Sequence, residues 1–274
     1  MTIDANRSSV PMDTARALLA STMRLYRRDP AITAELQTYS RRLDEPLRIA
    51  LVGSVKAGKS TLLNALLGEH LAPTDARECT RVVTWYRHGN TPKVRAYPLD
   101  GGVTKLPLLR QADRLELELG DLRAEDLERL EVTWPAEQLS DLILIDTPGT
   151  ASISTDVSGR TQEFLAPRDG VSGVDAVVYM LRSLHTSDVE FLHELHDRTG
   201  HGASALGSIA VLSRADELGG GRLDAMVSVN RAVQRLRADP SLDGLVESVV
   251  PVAGLLAVAS STLRQSEFSA FVTL

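Results

Sequence analysis

Five short apolar runs alternate with longer amphipathic stretches in the second part of the chain: "LRIALV" (47–52), "DLILID" (141–146), "VDAVVYML" (174–181), "SIAVLS" (208–213) and "VESVVPV" (246–252). Runs this short, rich in Val, Ile and Leu without strict alternation, predict strands buried on both faces of a parallel sheet. The stretches around 59–68, 187–199 and 223–238 predict crossover helices. The fold class is therefore α/β, a central, mostly parallel sheet flanked by helices. Two helical patterns, 13–28 and 32–43, precede the sheet; Pro30 separates them and Pro46 stops the second. In the first, Ala17, Leu18, Met23, Leu25 and Tyr26 share a broad apolar face. The expected division is a helical segment over 1–45 and an α/β domain over 46–274.

About ninety residues separate the first two strands. "RVVTWYR", the turn-like "HGNTP" and "KVRAYPLDGG" predict an antiparallel hairpin there, and the acidic "DLRAEDLERL" after them predicts a helix. The chain closes on "RQSEFSAFVTL" with no stop signal, so its last helix reads as cut rather than finished.

Composition narrows the class. The 274 residues are 43% apolar and only 4% aromatic, enough for a large aliphatic core, and the formal charge of −6 argues against a broad nucleic-acid surface. A single cysteine, Cys79, excludes an intrachain disulfide framework and suits a reducing compartment. The N-terminus has no apolar signal core, and the longest apolar run, "VVPVAGLLAVA", falls well short of the roughly 20 residues that span a bilayer. A soluble, cytoplasmic chain is expected.

The chemistry concentrates in "GSVKAGKST": Gly53, Ser54, Val55, Lys56, Ala57, Gly58, Lys59, Ser60 and Thr61. An isolated GxxxxGK[ST] match is as easily an ordinary Gly-rich turn. This one follows an apolar strand and opens a helical pattern, which is the context a phosphate-binding loop requires. Gly53 and Gly58 let backbone N–H groups converge on a β-phosphate, and the helix N-terminus adds partial positive charge. Lys59 spans the β- and γ-phosphates, and the Ser60 hydroxyl ligates Mg²⁺.

"DLILIDTPG" supplies the second carboxylate: Asp146 ends a strand and holds Mg²⁺ through water, while the Gly149 N–H senses the γ-phosphate. Asp146 alone is a common strand ending; the DTPG run downstream of the loop is specific. "IAVLSRADEL" then sets Asp216 after another strand. One carboxylate accepts the guanine N1–H and exocyclic amine together, a donor pair adenine lacks, so GTP is favoured over ATP. The guanine motif [NT]KxD is altered here. Ser213 stands for Asn or Thr, with shorter reach toward the phosphate loop, and Arg214 stands for Lys, its planar head still able to cover the purine face. Asp216 weighs against an ordinary solvated loop carboxylate. "APTDARECTRVV" offers Thr74 and Thr80 as a third Mg²⁺ contact; Thr80, nearer the next strand, is preferred over a plain surface threonine. Ala253 and Gly254, after the last strand, would reach guanine O6 through backbone N–H.

With these motifs in order the sequence resembles the dynamin superfamily of GTPases. "LRIALVGSVKAGKSTLLNALLG", "APTDARECTRVVTWYRHG", "LIDTPGT" and "SRADELGGGRLDAM" are similar more narrowly to the actinobacterial dynamin-like proteins of the isoniazid-inducible group, particularly its C member. The likeness runs from about residue 12 to 268. It implies a GTPase domain, with GTP or GDP and Mg²⁺ as ligands, that hydrolyses GTP, dimerises across its nucleotide face and remodels or tethers membranes. Family members continue into a helical stalk with a membrane-binding tip; this chain stops near the end of the GTPase domain, and its first helix matches the family's neck helix. The expected partners are a second copy or a full-length relative, with any membrane contact indirect, at the inner face of the plasma membrane through that partner, and no nucleic acid.

Thr150 and Ala151 follow Gly149, so the water-orienting Gln of many small GTPases is absent. Lys56 occupies the loop position where, by the resemblance, eukaryotic dynamins carry a Ser that assists a monovalent cation and guanylate-binding proteins carry an arginine finger. A lysine there is read as a built-in cation, against a solvated loop lysine. The expected catalytic set is thus Lys56, Lys59, Thr80 and Gly149. Weaker signals carry little: His193 and His196, beside Glu190 and Glu194, lack a third zinc ligand, and "RLYRR" (24–28) reads as a solvated basic face. Cys79 reads as a passive thiol. Two rivals stay open, a nucleotide-regulated assembly module with negligible turnover and a P-loop ATPase; Asp216 opposes the second.

Overall fold

The computed structural model describes residues 5–69, 71, 82–111, 114–149, 164–165, 173–199, 207–220, 222, 225–263 and 265–273. They fall into two units, Met1–Pro46 and Leu47–Leu274.

The first unit is a helical pair, α1 (Ala5–Leu25) and α2 (Pro30–Asp44). Pro30 does more than separate them. It opens α2 at the first helical position, where its missing N–H costs nothing, and Asp29 caps the helix by accepting from the Ala31 and Ile32 amides at 3.1 Å each. An exposed ion pair, Arg16 to Asp44 at 3.0 Å, ties the two helices. Leu18, Leu25 and Tyr26 of the expected apolar face are exposed.

In the second unit nine strands among the described residues form one mixed sheet. The strands are β1 (Leu47–Gly53), β2 (Thr84–His88), β3 (Lys93–Pro98), β4 (Thr104–Leu106), β7 (Leu127–Trp134), β8 (Leu142–Asp146), β9 (Ala176–Leu181), β10 (Ser208–Ser213) and β11 (Ser248–Val252). The remaining two, β5 (Leu108–Gln111) and β6 (Arg114–Leu117), pair as a separate hairpin. The order is β11-β10-β9-β1-β8-β2-β7-β3-β4; the five strands read from the apolar runs are its parallel half, and β2 turns antiparallel against β8.

The sheet has a core on each face. Leu63 and Leu67 of α3 (Lys59–Leu67) pack with Leu51, Tyr86, Leu130, Val132 and Leu144 on one. Helices α4 (Thr186–Thr199) and α5 (Ala225–Arg237) cover Ala50, Val52, Ile145, Tyr179 and Leu212 on the other. Asp188 caps α4 from inside: it accepts from the buried Tyr179 hydroxyl at 2.7 Å and from the His185 amide at 2.9 Å. Two more helices, α6 (Gly254–Thr262) and α7 (Gln265–Val272), follow β11. No helix among the described residues is long and apolar enough to cross a membrane.

Two expectations for the ninety-residue insertion fail. The acidic "DLRAEDLERL" is not a helix: it makes a single 3₁₀ turn, Ala124–Asp126, and runs straight into β7. Helix-favouring residues are overridden because Leu130 and Val132, two apart, both become fully buried against the sheet. At roughly 1.5–3 kcal/mol for each buried side chain, that exceeds any local helix preference. Nor do β2 and β3 form a hairpin, since β7 lies between them, parallel to β2 and antiparallel to β3.

Candidate functional site

Because β1, β8, β9, β10 and β11 run parallel, their carboxyl ends open on one edge, and the segments leaving β1, β8, β10 and β11 carry those of the residues picked from sequence that the structure describes. Ligands in open α/β sheets bind at such an edge.

The Gly53–Thr61 loop leaves β1 and enters α3. Gly53 lies so close to β9 that a Cβ there would sit 2.2 Å from the Met180 carbonyl oxygen, and its φ of +145° excludes a side chain as well. Gly58 takes φ +99° to start the helix. Within the loop the Ala57 amide donates to Ser54 O at 3.1 Å. The Lys59 ammonium curls back over it, donating to the carbonyls of Gly53 at 2.8 Å and Ser54 at 3.1 Å. Ser60 and Thr61 occupy the first turn of α3, while Val55 and Lys56 are exposed at the loop's crest. Lys56 is held at φ +63°, uncommon for a residue with a side chain.

Asp146 ends β8 in register with Leu51 of β1 and Thr84 of β2. Its Oδ1 is buried without a hydrogen-bond partner. Burial raises its pKa from an ordinary 3.8 to about 6, with the nearby Lys59 charge pulling the other way; burial lowers the Lys59 pKa, and Asp146 resists that. The next residue, Thr147, went unremarked in the sequence. It is buried, and its hydroxyl donates to Leu51 O at 2.8 Å, pinning the DTPG turn to β1. Gly149 then packs against the Gly53–Thr61 loop: a Cβ on it would be 2.6 Å from Val55 Cγ2 and 3.0 Å from the Val55 amide nitrogen. Thr74, Cys79, Thr80, Thr150 and Ala151 lie outside the described residues.

The third part is a cavity of about 110 Å³ lined by Gly58, Leu62, Met180, Arg214, Asp216 and Leu255, among others. Asp216 is half-buried, and its side chain makes no capping hydrogen bond to the 3₁₀ turn it precedes. Arg214 is held at φ +53° and pairs with Glu217 at 2.9 Å; Glu217 also meets Arg182 at 3.4 Å. With Lys56 it makes up the non-glycine residues of positive φ among those described. Ser213 does not hydrogen-bond to the Gly53–Thr61 loop: its buried hydroxyl donates to Leu181 O at 3.1 Å, and it meets Gly58 only by packing. Gly254 begins α6 where a Cβ would stand 3.2 Å from Thr61 Cγ2, and Ala253 caps that helix. Sequence reasoning missed Leu62, Met180 and Leu255; lone apolar residues in strands and helices give no signal of lining a pocket. His193 and His196 lie on α4, and no cluster of metal-ligating side chains occurs among the described residues.

Comparison with known proteins places the chain in a family. Residues 49–215 match the Dynamin family. Isoniazid-induced protein IniC of Mycobacterium tuberculosis is 48% identical over 264 residues, covering 94% of this chain and 53% of that protein. Dynamin-like protein A of Bacillus subtilis is 30% identical over 158 residues, 56% of this chain and 12% of that one. In fold, one chain of an oligomerised bacterial dynamin pair, described as a mechanism for long-range sensing and tethering of membranes, superposes with a TM-score of 0.55 at 19% identity. That overlap covers 89% of this chain and 37% of the other. The chain spans about half the length of the IniC proteins it matches. By motifs, fold and sequence, the chain belongs to the Dynamin family.

Proposed function

We propose that this domain binds GTP with Mg²⁺ at the carboxyl edge of its sheet and hydrolyses the β–γ anhydride. The observation that carries the reading is the convergence of three parts on one edge: a phosphate loop with its lysine folded over it, a buried carboxylate oxygen with no partner, and a cavity with an uncommitted carboxylate. The orphaned Asp146 oxygen fits a water-bridged metal, because a buried acceptor without a donor costs about 1–3 kcal/mol until something hydrated reaches it. Ser60 and Thr80 would complete the metal's protein contacts. Mg²⁺ held there would neutralise charge gathering on the phosphate oxygens.

In this reading Lys59 leaves the Gly53 and Ser54 carbonyls for the phosphates, and the loop amides take the oxygens between them. Asp216 accepts from guanine N1–H and the exocyclic amine while Arg214 lies over the purine, and Ala253 and Gly254 offer their amides to O6. Gly149 reports the γ-phosphate. Lys56, exposed on the loop crest, is the cation that offsets charge on the leaving oxygen. Turnover is coupled to pairing of nucleotide faces between two copies or with a related dynamin-like protein, in the service of membrane remodelling at the cytoplasmic side.

A second reading, a binding module with negligible turnover of its own, draws on the missing Gln after Gly149. Specific GTPase activity measured over a wide range of protein concentration separates the two. A rate that climbs with concentration supports the self-activated enzyme; a flat rate near zero with GTP binding retained overturns it and leaves the module. ATP competing as well as GTP would overturn the guanine assignment.

A further inference from the structure

On the sheet face turned away from α3, strand register gathers a second group of charged residues that the nucleotide site does not use. Trp85 of β2 stands opposite Ile145 of β8 and Glu131 of β7, and it is buried to 7% exposure. Three guanidiniums surround its ring, those of Arg48, Arg87 and Arg129, at 4.8, 5.4 and 5.4 Å from the centroid. Arg129 also lies 4.0 Å over Tyr97. Stacking on aromatic faces explains why arginines are tolerated here. It does not explain the rest of the chemistry.

Three N–H donors at this spot are buried without an acceptor: Trp85 Nε1, Arg87 Nε and Arg129 Nε. Buried donors are almost always paired, so three in one cluster point to a missing acceptor. Nearby carboxylates do not serve. Glu131 Oε2 stands 3.6 Å from Arg87 Nε, an ion pair too long for a hydrogen bond, while its Oε1 lies 3.4 Å from Arg95, and Glu128 pairs with Arg129 from a largely exposed position. Arg87, Arg95 and Arg129 outnumber these two acids by one. The side chains of Arg87 and Arg129 as a whole remain 32% and 24% exposed, so solvent reaches the edge of the cluster.

We propose that this cluster is a binding site for a phosphate-bearing anion, separate from the phosphate loop. A tetrahedral oxyanion offers one oxygen to each arginine fork and another to the indole N–H, whereas a carboxylate has only two to share among three donors. Its charge cancels the excess of arginine. The phosphate can belong to a small soluble molecule or to a lipid headgroup, and the chemistry of recognition is the same for both.

Trp134→Phe leaves Trp85 as the sole tryptophan and makes its emission the readout. The protein, saturated with GDP so that the phosphate loop is filled, is titrated at constant ionic strength with pyrophosphate, and separately with phosphatidylcholine vesicles with and without phosphatidic acid. A saturable change in Trp85 emission is expected. Its midpoint weakens about tenfold in Arg129→Gln, the loss of one charge-assisted contact, and less in Arg95→Gln at the rim. The same midpoint in Lys59→Ala without GDP makes the result independent of the nucleotide reading. Response to pyrophosphate assigns a soluble phosphate; response only to phosphatidic acid assigns a headgroup. No saturable change, a change matched by sodium chloride, or a midpoint indifferent to both arginine substitutions overturns the site.

Discussion

Lys59 and Asp146 carry opposite charges into the same buried corner, and burial drives each toward its neutral form while the other's charge opposes the drive. The corner is thus strained electrostatically before any ligand arrives, as sites built to receive charge commonly are.

The strain has a pH signature. Asp146 is raised from 3.8 to about 6, so between those values the folded protein holds a proton that the unfolded chain has released. Stability from this group is therefore full below pH 4 and lost as pH rises through 6. In Asp146→Asn that loss is absent. Measured by thermal unfolding without nucleotide, the Asn variant should gain on the parent by up to about 3 kcal/mol between pH 4 and pH 7. A constant difference over that range would show that Asp146 is not held protonated. Affinity for Mg²⁺ and nucleotide should run the other way in the parent, weakening as pH falls below 6.

Asp216 should decide the base. Asp216→Asn replaces one acceptor with a donor, which no longer matches the guanine N1–H and amine pair but does match a base carrying a carbonyl in place of the amine. GTP affinity should fall roughly a hundredfold and xanthosine triphosphate should bind better than GTP. Competition titration reads both, and unchanged GTP affinity would remove Asp216 from the base pocket.

How far the sequence disclosed this molecule depended on whether a feature was local. The parallel half of the sheet was legible, because "LRIALV" or "SIAVLS" is apolar enough to be buried wherever it goes. The antiparallel half was not. Nothing near "DLERLEVTW" says that Leu130 and Val132 will be buried between β2 and β3, strands that themselves look like a hairpin. The Gly-rich turn from β1 into α3 was legible because its residues are consecutive. Thr147 holding β1, Met180 against Gly53 and the arginines around Trp85 are long-range arrangements, visible only once strand order brings β1, β2, β7, β8 and β9 together.

Lys56 can be tested without disturbing the loop. At φ +63° its backbone suits glycine better than alanine, so Lys56→Gly removes the ammonium while relieving strain, and Lys56→Ala confounds the two. If Lys56 supplies the cation, Lys56→Gly should lower kcat about a thousandfold with KM little changed, and the parent should turn over equally in sodium and potassium. A parent that needs potassium, or a Gly variant with full kcat, would return Lys56 to the role of a solvated loop residue.

Gly149 and Val55 make the most direct test of communication between the DTPG turn and the phosphate loop. A methyl on Gly149 would collide with Val55 Cγ2 at 2.6 Å and crowd the Val55 amide nitrogen at 3.0 Å. Gly149→Ala should therefore displace the loop crest, lowering kcat by about two orders of magnitude while GDP still binds. Val55→Ala deletes the closer of the two obstacles and leaves the backbone one. Added to Gly149→Ala, it should recover part of the lost rate and not all of it, a coupling that a double-mutant cycle on kcat would measure. Additive losses would mean that Gly149 acts through something other than its contact with Val55.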